Sequence, residues 1–130
     1  MIVALLLSIT ALTLLSLIKG SSYLEIMLPG GLPIGNALTA IGLCAAAGAA
    51  VRLSAPRTLL RRLSVASLIS AAIWLPASIA LAGNLTLNFR GWVGGVWLAL
   101  TAAIAGAILA VLCWALIAAV LSRYRRAGAA

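Results

Sequence analysis

Glu25 is the only side-chain carboxylate in this 130-residue chain, histidine is absent, and the two cysteines, Cys44 and Cys113, stand far apart within apolar sequence. General acid–base catalysis needs a base within reach of the proton it removes, and usually a second group tuned to a different pKa. Glu25 has no second carboxylate to pair with. Zinc sites of the usual histidine-containing kinds and haem ligation through imidazole are excluded, and no glycine-rich phosphate loop is present. Ser64, Ser67 and Ser70 lie in apolar sequence, where a serine bonds back to the carbonyl four residues earlier and has no base to activate it. The expectation is a non-enzyme that holds no metal and no cofactor. Cys44 and Cys113 read as small packing residues at similar depth, not as a disulfide framework.

The elements that must position these residues are announced by charge and hydropathy. The chain is 65% hydrophobic, its mean hydropathy is +1.27, and its nine Lys and Arg residues give a net charge of +8. A domain of this size leaves a large share of its surface outside, so that much apolar sequence has to be covered by lipid. A basic surface can signal nucleic acid. Here the basic residues sit at the borders of four uncharged stretches, which accounts for them as topogenic and headgroup contacts and gives no reason to expect nucleic acid.

Those stretches run from Ile2 to Ile18, from about Leu32 to Val51, from about Leu63 to Ala82 and from about Val93 to Leu121. The first, at roughly 26 Å as a helix, just crosses a hydrocarbon core. It lacks the basic leader and small-residue cleavage site of a secretory signal, so it reads as a span. The fourth is longer than a perpendicular crossing needs and must tilt or continue past the headgroups. The sequence therefore predicts a single all-α membrane domain over 1–130, a bundle of four transmembrane helices. Arg52, Arg57, Arg61 and Arg62 lie between the second and third stretches, and Arg123, Arg125 and Arg126 follow the fourth, while only Lys19 and Arg90 lie on the other side. Retention of positive loops in the cytoplasm predicts both termini inside, with the loops of Gly20 to Gly31 and Gly83 to Gly91 outside. The Ala-, Leu- and Arg-rich composition is of a bacterial kind, which implies the inner membrane.

Within lipid, helices associate through small residues that let backbones approach. Gly35, Thr39, Gly42, Ala46 and Ala49, spaced by three and four, form such a seam on the second stretch; Gly91, Gly95, Ala99, Ala102, Gly106 and Ala110 form another on the fourth. Pro76, beside Trp74, is expected to kink the third helix and free the carbonyl near Ala72. The first outer loop, with Tyr23, Glu25, Pro29 and Pro33, reads as interfacial. Phe89 and Trp92 read as a second interfacial anchor pair, and Asn84-Leu85-Thr86 has the form of a glycosylation sequon. Two function classes fit these residues. One is an accessory or scaffold subunit whose smooth faces bind another membrane protein or a second copy within the bilayer. The other is a small transporter or flippase with Pro76 as hinge and Glu25 as the ion-coupling candidate.

Overall fold

The structure, a computed structural model, describes residues 1–19 and 22–128. Four helices make up the fold: α1 (Ile2–Lys19), α2 (Ile34–Leu53), α3 (Leu59–Ala82) and α4 (Trp92–Ala127), with one 3-10 turn at Ser22–Glu25. Among the described residues there is no strand, only an isolated bridge between Met27 and Pro33. The expectations for Gly20, Ser21 and the ring of Tyr23 lie outside what is described. α2, α3 and α4 are long and apolar enough to cross a membrane; the apolar part of α1, Ile2–Ile18, is shorter.

α2 is the centre of the bundle, packed by α1 on one side and by α3 and α4 on the others. Its sequence explains this. A helix that is apolar all round is covered by protein or by lipid; in α2 the run Gly42, Leu43, Ala45, Ala46, Ala47, Ala49 and Ala50 is covered by protein, because small side chains let three neighbours approach at once. α1 comes closest at Gly42, where an added Cβ would lie 2.6 Å from Thr13 Cγ2. The Thr13 hydroxyl donates back to the Ile9 carbonyl at 2.8 Å, which leaves its methyl to meet the glycine. Gly48 meets Leu6 in the same way one helix depth further on. The pairs Thr13–Gly42 and Leu6–Gly48 run antiparallel, so α1 lies along α2.

Helix ends differ from the sequence expectation at both basic borders. α3 starts at Leu59, four residues before the expected Leu63, because Thr58 caps it: its hydroxyl accepts from the Arg61 amide at 3.1 Å. Arg61 and Arg62 are thus in the first turn of α3 and not in a loop. The Arg61 guanidinium donates to the Val51 carbonyl at the end of α2, satisfying one of the acceptors that a helix C-terminus leaves open. α4 continues to Ala127, so Arg123, Arg125 and Arg126 are helical and sit where cations favour the helix dipole.

α3 passes through Pro76 as one unbroken helix. Ala72 and Pro76 line an apolar groove with Leu6, Ile41 and Cys44. In the first outer loop Pro29 and Gly30 form the corner of a turn, closed by the Gly31 amide on the Leu28 carbonyl at 2.9 Å. Gly30, at φ 100°, takes the position of that turn which demands a left-handed backbone.

Candidate functional site

Glu25 is exposed in the 3-10 turn at the end of the bundle opposite the basic loop. Cys44 is half-buried in the groove beside Pro76, and Cys113 is exposed on α4, so the two free thiols occupy different faces. None of the three is brought to another reactive group.

The polar chemistry inside the bundle belongs to residues that the sequence reading did not connect. Trp74 Nε1 on α3 donates to Thr101 Oγ1 on α4 at 3.1 Å, and Trp97 Nε1 on α4 donates to Ser78 Oγ on α3 at 2.9 Å. Each helix therefore supplies an indole and, one turn later, a hydroxyl, and the antiparallel arrangement makes each indole the donor to the other helix. The signal was present as Trp74-Leu75-Pro76-Ala77-Ser78 and Trp97-Leu98-Ala99-Leu100-Thr101, two copies of Trp-Leu-x-x-Ser/Thr. The rings lie 6.3 Å apart, and Phe89 stacks on Trp97 at 4.7 Å. Phe89 is thus folded inward, in contrast to the interfacial anchor expected of it, while Trp92 remains exposed. Next to this clasp a lateral groove of about 300 Å³, lined by Ile73, Leu81, Leu100 and Ile104, opens between α3 and α4. Ser78 and Thr101 each accept an indole proton and each keep a hydroxyl proton to donate, so the groove can hold a hydrocarbon bearing one acceptor oxygen.

The small-residue seams divide. On α2, Gly42 lies against α1, Ala46 lies between Thr13 of α1 and Ile108 of α4, and Ala49 is fully buried. Gly35 instead meets the Leu24 carbonyl, 3.2 Å from its missing Cβ, so it packs against the outer loop and not against a helix; Thr39 bonds back to the Gly35 carbonyl. On α4, Gly91 is the residue before the helix, at φ 61°, a capping position and not a packing one. Gly95, Ala99, Ala102, Gly106 and Ala110 are exposed, and an added Cβ at Gly95 or Gly106 meets nothing within 4 Å.

Arg52, Arg57 and Arg62 are exposed around the short α2–α3 connection, and Arg123, Arg125 and Arg126 are exposed on α4. The single side-chain carboxylate is at the other end of the molecule, so among the described residues no acidic side chain stands beside these arginines. In the α3–α4 connection the sequon asparagine is an organiser: Asn84 Oδ1 accepts from the Thr86 hydroxyl and the Asn88 amide, and Nδ2 donates to the Ala82 and Asn88 carbonyls, at 2.9 to 3.1 Å. No protein-family model, no curated protein and no solved structure matches the chain.

Proposed function

We propose that this chain is a non-catalytic accessory or scaffold subunit of a bacterial inner membrane, with both termini cytoplasmic, and that it presents α4 to another membrane protein or to a second copy. The supporting observation is the contrast between exposed faces. α1 shows Leu5, Leu12, Leu15 and Ile18 to its surroundings, and α3 shows Leu63, Ile69 and Ile73, as lipid-facing helices do. α4 shows Val96, Leu98, Leu100 and Trp114 in the same way, but beside them it carries an exposed stripe of Gly95, Ala99, Ala102, Gly106 and Ala110, the residue types that line helix–helix contacts. A smooth face turned outward is suited to a helix from outside the chain.

A second reading, a small transporter or flippase for an apolar solute, lipid or cation working as a homo-oligomer, draws on the lateral groove beside Ser78 and Thr101. One set of variants separates the two. Gly106→Leu adds bulk where nothing inside the chain is met, so the fold should persist while the assembly isolated in mild detergent loses its partner or its second copy. Glu25→Gln should leave assembly and growth unchanged. An unaltered complex in Gly106→Leu would sink the scaffold reading, and loss of a transport phenotype in Glu25→Gln with expression intact would promote the alternative.

A further inference from the structure

The end of α4 stands clear of the bundle. α3 and α4 are antiparallel, with Trp74 on Thr101 and Ser78 on Trp97, so Leu59, the first residue of α3, comes level with about residue 116 of α4. Leu116 and Ala118 still pack against the buried cluster, and nothing further along α4 belongs to it or packs against it. α4 then continues to Ala127, about eleven more residues or roughly 16 Å. The bundle does not need this length, because the 24 residues of α3 already cover about 36 Å against a hydrocarbon core of about 30 Å.

The overhang is not a polar stalk. Ile117, Val120, Leu121 and Tyr124 are 58%, 49%, 53% and 73% exposed, and their spacing is that of one apolar helix face. Arg123 and Arg125 flank the face on either side, and Arg126 lies behind it. In a register with Arg62 at the phosphates, residue 113 of α4 is level with it and Arg123 is about 15 Å further out, beyond a Debye length and so outside the reach of the headgroup charges. A second copy would bring its own three arginines against these three.

We propose that the overhang docks an acidic, amphipathic helical segment of a partner protein on the side of the membrane that carries the α2–α3 loop. The partner's apolar face covers Ile117, Val120, Leu121 and Tyr124, and its carboxylates pair with Arg123 and Arg125. This rests on the scaffold reading and adds the chemistry of the partner where the Gly and Ala stripe of α4 continues past the bundle. The test is photo-cross-linking of the full chain in native membranes, with benzoylphenylalanine at Val120 and, separately, at Gly106. Val120 should give one discrete protein adduct whose cross-linked peptide alternates apolar residues with Asp and Glu at helical spacing. The yield should fall at least about tenfold in Arg123→Glu/Arg125→Glu and survive in Arg123→Lys/Arg125→Lys. An adduct with phospholipid only, with a second copy, or with a peptide lacking acids overturns the proposal, as does a yield indifferent to charge reversal. Protein adducts at Gly106 without any at Val120 overturn it while leaving the scaffold reading standing; adducts at neither position remove both.

Discussion

Gly42 and Gly106 are chemically identical residues with opposite surroundings, and the difference decides what each can tolerate. At Gly42 a Cβ would fall inside the van der Waals radius of the Thr13 methyl, whereas at Gly106 it would meet nothing. Gly42→Leu should therefore destabilise the bundle by about 1–3 kcal/mol, the usual range for forcing bulk into a packed site, seen as a lower thermal midpoint in detergent. Ala40→Leu, two residues away on the groove beside Cys44, should cost less because open volume is at hand. Equal melting of Gly42→Leu and wild type would show that α1 does not pack there. The sequence indicated Gly42 as a place of close approach through the three-and-four spacing of small residues. It could not separate Gly42 from Gly35 or Gly106, since spacing names a face and only the fold says what stands opposite it.

At the scale of elements, the α3–α4 pair is held by two hydrogen bonds that a reading of single helices does not find. Each indole would bury an unsatisfied donor without its hydroxyl, and the reciprocal bonds set the register on which the α4 overhang depends. Trp74→Phe and Trp97→Phe each remove one bond and keep most of the ring. Each single change should cost about 0.5–1.5 kcal/mol. Because the rings are neighbours, the double variant should depart from the sum of the two, with a coupling of about 0.5 kcal/mol or more in a thermal or chemical unfolding cycle. Strict additivity would mean that the two bonds act as separate tethers. Helix existence was legible from hydropathy for all four elements. Their inner ends were not: α3 gained its first turn from the Thr58 cap, and α4 gained its last turns from arginines that suit a helix C-terminus, both local effects that hydropathy ignores.

For the whole molecule, α1 lies antiparallel along α2; if it crosses with α2, as the scaffold proposal has it, the number of crossings is even and both ends of the chain are on one side. Which side follows from the arginines. Arg52, Arg57, Arg61 and Arg62 form a rim at the α2–α3 connection and Arg123, Arg125 and Arg126 extend it along α4, while Arg90 stands at the opposite end with Glu25. Seven basic residues at one end resist translocation, and anionic lipid at the cytoplasmic surface adds about 1 kcal/mol for each that lies near it. Cysteine labelling can read the outcome without disturbing the Asn84 loop. In a background of Cys44→Ala and Cys113→Ala, a single cysteine at Arg90→Cys should react with a membrane-impermeant maleimide on intact cells. A single cysteine at Arg125→Cys should react only after the membrane is opened. Labelling of both in intact cells would deny that α4 crosses the membrane, and the reverse pattern would invert the bundle and place the α4 overhang outside.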